Sequence, residues 1–275
     1  REFKKTYNTG SSSLYGMDRY QYQYIANEYP EDIQFDKDAI KIFTVDIECS
    51  AENGFPDVEN PTEELLAITV KNQSNKQIIT WGIGDFKTNR SDVTYVRCKN
   101  EKSLIMEFMK FWTKNYPDVI TGWNTKFFDI PYLFNRIRNL TDEKVLNKFS
   151  PWNMVQQETI VVRGRPQISY SIFGISMLDY LDLYQKFIPT KQESYKLDYI
   201  GKVELGLQKD ENPYDTFRDW YTKDYQSFID YNIKDVEIVD GLEDKLKLIE
   251  LVLTMAYEAK VNYTDVFSQV RMWDM

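Results

Sequence analysis

Two acidic side chains, those of Asp46 and Glu48, stand at the end of an apolar, β-favouring run that predicts a strand over residues 40–48. Alternate residues of a strand point to the same side, so both carboxylates should leave one face. Burying two like charges side by side is costly unless a cation neutralises them, and carboxylate oxygens suit Mg²⁺ or Mn²⁺. The pair therefore predicts a divalent-metal site. The alternative is that the strand ends before Asp46 and both acids are solvated loop residues.

A second acidic position closes the segment 121–129, which reads TGWNTKFFD. Asp129 is followed by Ile130 and Pro131, and proline is favoured in the first turn of a helix, so a helix should begin here. The ordinary role of an acid at such a place is to cap the helix. A carboxylate held at the edge of a sheet could also face Asp46.

A third acidic position lies within a helical pattern over residues 228–242. Apolar residues recur there at three- and four-residue spacing, with Tyr231 and Asp235 in the same series, so all of them should share one face. An acid on an otherwise apolar face needs a partner, and Tyr231 points to the same place from one turn earlier. Asp235 could instead be solvated at the edge of that face, or paired with Lys234 or Lys245.

The elements that position these acids should be short strands followed by strands that alternate with helices. This order predicts an α/β or α+β fold, in which the first four strands form a mostly antiparallel meander and helices cover the sheet. The segment RGRP at residues 163–166 predicts a hairpin with a basic tip. The predicted strands cover 40–48, 65–70, 77–81, 93–97, 117–121, 159–162, 167–173 and 175–178. The predicted helices cover 101–115, 129–140, 180–187 and 223–260, the last as one long helix or two joined ones.

The composition excludes several kinds of site. The 275 residues include no histidine, which rules out imidazole-based hydrolases and histidine-ligated zinc. Two cysteines argue against a disulfide framework and fit a reducing cytosol. Apolar runs are too short to span a bilayer, and the N-terminus lacks a signal-peptide pattern. A net charge of −9 is unusual for a nucleic-acid binder, so any such contact should be local or mediated by metal.

Three motifs follow one another along the chain: D-I-E at residues 46–48, N-x-x-x-F-D ending at Asp129, and Y-x-x-x-D from Tyr231 to Asp235. Their order and spacing resemble the DEDDy signature of the proofreading 3′→5′ exonuclease domains of family B DNA polymerases. The stretches GWNTKFFDIPY, GISMLDYLDLYQKF, SYKLDYI and YNIKDVE look most like segments of T-even-type bacteriophage polymerases. The resemblance covers roughly residues 15–274. It implies an RNase H-like mixed β-sheet flanked by helices, with a β-hairpin insertion.

The same resemblance implies a division of the chain. Residues 1–39, polar and rich in tyrosine, would be part of the N-terminal region of a polymerase and partly flexible. Residues 40–262 would form the exonuclease domain, and residues 263–275 a truncated segment that returns toward the N-terminal or polymerase region. Because the first residue is Arg, we expect a piece of a longer protein whose polymerase catalytic domain is absent from this chain.

The resemblance also implies the chemistry. Two divalent cations, Mg²⁺ or Mn²⁺, would be held by four acids, and Tyr231 would orient the attacking water. The reaction would remove nucleotides from the 3′ end of single-stranded or frayed DNA and release 5′-monophosphates. The four expected metal ligands are Asp46, Glu48, Asp129 and Asp235.

Contacts to the DNA strand are expected from aromatic side chains and from the hairpin tip. Phe55 matches by position an aromatic that contacts the strand in the related polymerases, whereas Trp123 and Phe127 fit a core role better. The hairpin tip would help to separate primer from template, unless it is an ordinary exposed turn. The residues expected to contact DNA are Phe55, Trp123, Asn124, Phe127 and Arg163.

The expected partners are single-stranded or primer-template DNA, the remainder of the polymerase chain and, through regions outside this chain, a sliding clamp. No membrane is expected, and the location should be the cytoplasm, that of the host cell if a phage encodes the protein. Two alternatives remain open from the residues: a catalytically silent nucleic-acid docking domain of the same fold, and a two-carboxylate glycosidase. Binding of DNA should be weak, metal-dependent and sensitive to salt.

Overall fold

The computed structural model describes residues 20–31, 36–162, 164–207 and 213–268. The strands are β1 (Ile42–Cys49), β2 (Leu65–Asn72), β3 (Ile78–Gly82), β4 (Val93–Arg97), β5 (Val119–Thr121), β6 (Val155–Val162), β7 (Arg165–Ile172) and β8 (Ser176–Met177). The helices are α1 (Tyr20–Glu28), α2 (Glu101–Trp112), α3 (Asp129–Leu140), α4 (Glu143–Asn147), α5 (Tyr180–Phe187), α6 (Leu197–Leu205), α7 (Phe217–Lys223), α8 (Tyr225–Leu246) and α9 (Leu248–Ala259). No helix among these residues is both long and apolar enough to cross a membrane.

The described chain forms two compact units. The larger unit, Lys37–Glu250, contains every strand and most of the helices. The smaller unit combines the described residues before Lys37 with those after Glu250. Within it, the hydroxyl of Tyr22 donates a hydrogen bond to the carboxylate of Asp265. Of residues 1–39, which were predicted to be partly flexible, the described part contains a helix over Tyr20–Glu28.

A six-stranded mixed sheet forms the centre of the larger unit, with the strand order β4-β3-β2-β1-β5-β8. β1 runs antiparallel to β2 and parallel to β5, so it is an interior strand. β2 and β3 are antiparallel as predicted, but β4 runs parallel to β3. The segment 83–92 connects the end of β3 to the start of β4, so it must run back along the length of the strands. A tight hairpin turn could not do this.

Helices cover both faces of this sheet. On one face, apolar side chains of β1 pack with those of α2 and α3, including Phe108 and Leu133, which are fully buried. On the other face, β2 and β3 pack against α7 and α8, including Trp220, Phe228 and Val236. The structure therefore confirms the predicted mixed sheet flanked by helices. Helices are needed on both sides because each face of the central strands is apolar and must be shielded from water.

The long C-terminal helical pattern is divided at Lys247. α8 begins after Asp224, whose side chain accepts a hydrogen bond from the backbone N–H of Ser227 at 3.1 Å. It ends where Lys247 adopts a left-handed conformation, with φ 57°, and α9 begins at the next residue. Of the two predicted alternatives for residues 223–260, one long helix or two joined helices, the structure forms two joined helices. The short helices α4, α6 and α7 were not predicted.

The predicted hairpin is present as a separate two-stranded sheet of β6 and β7. Its register runs from Val155 opposite Ile172 to Val162 opposite Arg165, so both strands are longer than predicted. The added part of β6 is the half-buried Val155 followed by three exposed polar residues, and such a segment carries no apolar alternation to reveal it. Gly164 at the turn has φ 79°, which glycine adopts without strain. Arg163, expected to contact DNA, lies outside the described residues.

Candidate metal-binding active site

The two acids of β1 lie on the face of the sheet that α8 covers. Val45 and Ile47 point to the opposite face, where they join the core under α2 and α3. Since side chains alternate along a strand, Asp46 and Glu48 project toward α8. Both belong to the strand, which ends at Cys49, so the alternative in which they are solvated loop residues is wrong.

Asp235 comes to these two acids from α8. Each of Asp46, Glu48 and Asp235 offers one carboxylate oxygen, and these oxygens all lie within 4.8 Å of one another. Asp235 is only 8% exposed, so it is not a solvated edge residue. Three carboxylates at this separation repel one another unless a cation neutralises them, and an all-oxygen ligand set fits Mg²⁺ or Mn²⁺. The residues present therefore fit a divalent-cation site.

The face of α8 that carries Asp235 is built as the sequence predicted. Phe228 and Leu242 are fully buried at its two ends. Tyr231 is half-buried, and its ring packs edge-on against Trp220 with the centroids 4.8 Å apart. The apolar anchors of this face thus hold the helix on the sheet and bring the acid toward β1.

Asp129 lies beside the group of three acids and faces the backbone of β1. It is the first residue of α3, whose N-cap is Phe128, so the expected capping role is wrong. Its Oδ1 accepts a hydrogen bond from the backbone N–H of Ile47 at 3.1 Å. Burial, together with the charges of Asp179 and Asp235, raises the pKa of Asp129 to about 7, although its hydrogen bonds to the backbone favour the charged form. Its carboxylate is not among the three oxygens within 4.8 Å of one another in the described structure.

Asp179, which the sequence reasoning did not single out, organises the loop before Asp129. It caps α5 and also accepts hydrogen bonds from the backbone N–H groups of Asn124 and Lys126, at 3.2 and 2.9 Å. Burial raises its pKa to about 6, although these bonds favour the charged form. The loop also approaches β1 closely, because a Cβ at Gly122 would lie 2.6 Å from the backbone oxygen of Val45. The sequence signal that could have identified Asp179 is its position directly before a predicted helix, where an acid often caps the first turn.

Phe55 stands on the loop that follows β1. Its side chain is 86% exposed, and its ring lies 5.4 Å from that of Phe128 in the second motif, measured between centroids. The carboxylate of Glu63 fixes this loop by accepting hydrogen bonds from the Ser50 hydroxyl and the Asn53 side chain, at 2.6 and 2.9 Å. Burial alone would raise the pKa of Glu63, but its hydrogen bonds lower it to about 2. An exposed aromatic ring is thus held next to the second motif.

The other expected DNA-contacting residues are partly engaged within the protein. Trp123 is half-buried, and its indole N–H donates to the backbone oxygen of Tyr195 at 2.9 Å. Phe127 is half-buried, with the Lys126 ammonium 5.0 Å from its ring centroid. Neither side chain belongs fully to the core. Asn124 is exposed and has φ 64°, so the chain turns sharply there.

Asn232 is a second residue that the sequence reasoning missed. It follows Tyr231 on α8 and is fully buried. Its side-chain amide donates a hydrogen bond to Oδ2 of Asp46 at 2.5 Å. A buried asparagine beside a motif gives no sequence signal of its partner, because the partner lies 186 positions away in the chain.

Comparison with known proteins gives a consistent set of relatives. Residues 3–200 match the family described as DNA polymerase family B, exonuclease domain. The DNA-directed DNA polymerase of Escherichia phage RB69 is 33% identical, over 98% of this chain and 33% of that protein. The DNA-directed DNA polymerase of Enterobacteria phage T4 is 31% identical over the same shares. The DNA polymerase delta catalytic subunit of Candida albicans is 26% identical over 84% of this chain and 23% of that protein. The chain thus spans about a third of the length of the two phage relatives.

Proposed function

Because this chain belongs to the exonuclease domains of family B DNA polymerases, we propose that it removes nucleotides from the 3′ end of a DNA strand by metal-assisted hydrolysis. The observation that carries the proposal is the convergence of Asp46, Glu48 and Asp235 from two distant segments, with carboxylate oxygens within 4.8 Å. Such a group is costly without a cation and is suited to hold one. The products would be 5′-mononucleotides.

Each acid has a proposed task in this reaction. Asp46, Glu48 and Asp235 would hold a divalent cation, Mg²⁺ or Mn²⁺, and Asp129 would contribute to a second one from the start of α3. Such cations supply acidified water and offset the charge on the leaving 3′ oxygen. Tyr231, four residues before Asp235 on the same helix face, would orient the attacking water through its hydroxyl.

The substrate would be a single strand or the frayed end of a duplex. Phe55 supports this proposal, since an exposed ring beside the second motif can stack on a base of any sequence. Trp123, Asn124 and Phe127 lie on the second-motif loop and would contact the strand from that side. The hairpin of β6 and β7 would help to part the primer from its template, with Arg163 as an expected contact to DNA.

We also propose domain bounds, partners and a location for this chain. We propose that residues 40–262 form the exonuclease domain, with residues 1–39 and 263–275 belonging to neighbouring polymerase regions. The compact unit Lys37–Glu250 supports the start of this domain and most of its length, whereas residues 251–262 belong to the smaller unit. The partners would be primer-template DNA, the rest of a polymerase chain and a sliding clamp. The proposed location is the cytoplasm, that of a host cell if a phage encodes the protein.

One experiment separates this function from its alternatives. The chain is incubated with a single strand labelled at its 5′ end, with Mg²⁺ or with EDTA, and the products are resolved by length. Stepwise shortening that requires Mg²⁺ supports the exonuclease. Absence of shortening in Mg²⁺ and Mn²⁺ would contradict it and favour a silent docking domain. A two-carboxylate glycosidase would need no metal, so its action would survive EDTA.

A further inference from the structure

A row of buried polar side chains crosses three strands and ends at Asp46. Asp46 on β1 is directly opposite Thr69 on β2, and Thr69 is directly opposite Thr80 on β3. Residues paired in this way project from the same face of a sheet, so the three side chains lie side by side under α8. Both threonines are fully buried, and their Oγ1 atoms are 2.8 Å apart.

Asn232 of α8 joins this row to the acid. Its side-chain oxygen accepts a hydrogen bond from the hydroxyl of Thr69, and its amide nitrogen donates to Oδ2 of Asp46 at 2.5 Å. Asn232 lies one helical turn before Asp235, so the same side of α8 presents both residues to the sheet. Asn232 is fully buried, so bulk water does not compete for its hydrogen bonds.

The donors in this chain of hydrogen bonds run in one direction. An ionised carboxylate only accepts, so Asp46 must receive its bond from the amide nitrogen of Asn232. The oxygen of Asn232 then faces Thr69, whose single hydroxyl proton is used for that bond. Thr80 must therefore donate to Thr69. The order Thr80, Thr69, Asn232, Asp46 is thus fixed, and it ends on the carboxylate.

We propose that Asn232 is a positioning residue that holds the carboxylate of Asp46 toward the other two acids before any cation binds. The inference rests on the proposed metal-dependent function. Asp46 is half-buried, and the charges of Glu48 and Asp235 push its carboxylate away from the shared site. A charge-assisted bond from a buried, oriented amide opposes that movement. The site is then preorganised, and less of the cation's binding energy is spent on gathering the ligands.

The test compares two substitutions of Asn232 in the whole chain. Asn232→Ala removes both hydrogen bonds. Asn232→Leu keeps the approximate size of the side chain, removes both hydrogen bonds and adds no charge near the acids. Binding of Mn²⁺ is measured without substrate, from the electron paramagnetic resonance signal of the free ion. The Mn²⁺ concentration that gives half-maximal cleavage of a single strand is measured in parallel, below the melting temperature of each variant.

The expected result is a fall in Mn²⁺ affinity of about tenfold or more in both variants, as is typical when a group that orients a metal ligand is lost. Cleavage by Asn232→Ala should recover in part at high Mn²⁺, because the ligands themselves remain. Asn135→Ala is the matched control: it removes another buried asparagine, which donates to the backbone oxygen of Val58 at 2.8 Å. This control should melt at a lower temperature and bind Mn²⁺ as the wild type does.

Two outcomes would overturn the inference and leave the proposed function standing. One is wild-type Mn²⁺ affinity in folded Asn232→Ala and Asn232→Leu. The other is an equal loss of affinity in Asn135→Ala, which would show a general effect of removing a buried amide. If the wild-type chain binds no Mn²⁺, or Asp46→Ala binds it equally well, the proposed function fails and the inference fails with it.

Discussion

The carboxylate of Asp129 is bonded to the backbone N–H of Ile47, the residue that separates Asp46 from Glu48 on β1. This contact fixes the start of α3 against the strand at the level of its two acids. It also explains why Asp129, although near the other acids, stands apart from their three converging oxygens. The carboxyl is 3% exposed, and the resulting pKa of about 7 places its titration near neutral pH.

We predict that metal binding becomes stronger as the pH rises from about 6 to about 8. Below pH 7 the Asp129 carboxyl is mostly protonated, and a neutral carboxyl is a poor ligand for a cation. Mn²⁺ affinity, measured by titration calorimetry, should increase over this interval in the wild type. In Asp129→Asn it should be lower and nearly independent of pH there. An equally steep dependence in Asp129→Asn would assign the titration to another group.

The same pKa shift predicts that the stability of the metal-free protein falls as the pH rises, whereas metal affinity increases. The Asp129 carboxyl titrates near 3.8 in an unfolded chain and near 7 in the folded protein. The folded state therefore holds more protons between these values, and metal-free stability falls as the pH rises through them. In EDTA at about pH 8, Asp129→Asn should need more urea to unfold than the wild type. The difference should disappear at about pH 4.

Asp46→Ala and Asp235→Ala should each slow the release of mononucleotides by at least about a thousandfold, because each removes a proposed metal ligand. In EDTA their melting temperatures should stay close to that of the wild type, since loss of a contact is offset by relief of repulsion among the acids. Asp244→Ala is the control on the same helix. Asp244 pairs with Lys76 at 3.0 Å on the surface and should keep full activity when replaced. Near-wild-type cleavage by either site variant would contradict the assigned roles.

Tyr231→Phe should reduce cleavage more mildly, by roughly ten- to a hundredfold, because orientation of the water is lost while the ligands remain. The packing on Trp220 is retained by phenylalanine, so the variant should fold normally. Tyr225→Phe serves as a control on α8. Its hydroxyl bonds to the backbone of Leu66 and Ile83, so this change should lower stability by about 1 kcal/mol and leave the rate unchanged. Unaltered cleavage by Tyr231→Phe would remove the hydroxyl from the mechanism.

Phe55→Ala should weaken binding of a single strand without affecting stability. Its ring is 86% exposed, and stacking on one base contributes about 1–3 kcal/mol, or roughly a 5- to 150-fold change in affinity. Binding is measured by fluorescence anisotropy in Ca²⁺, chosen to bind the acids with little cleavage. Trp152→Ala removes another exposed aromatic, on the segment before β6, and should bind as the wild type does. Equal losses in both variants would point to non-specific stacking.

The sequence was most informative where an acidic residue lay within the regular spacing of a predicted strand or helix. The two-residue spacing of Asp46 and Glu48 predicted a shared side, and the helical spacing around Asp235 predicted one face of α8. Both predictions depend only on the geometry of a single element, which sequence determines well. The start of α3 followed from the proline in its first turn, whereas the position at which the C-terminal helical pattern divides was not predicted.

The parts that escaped prediction depend on contacts between distant segments. Asp179 looks like an ordinary helix cap, and only the folded chain shows that it also holds the second-motif loop. Asn232 could face solvent or the sheet, and which one is decided by the docking of α8. The parallel pairing of β4 with β3 was missed because alternation reports which side chains are buried, not the direction of the neighbouring strand.

The separation of β1 from α8 along the chain affects how the activity would arise during translation. The contact between Asp46 and Asn232 spans 186 positions, so a ribosome releases the strand long before the helix. Until then, a nascent chain carries two of the three converging carboxylates and lacks the one that completes the proposed site. Products of premature termination before α8 would accordingly be unable to degrade DNA, and nuclease activity would be acquired in a single late event of synthesis.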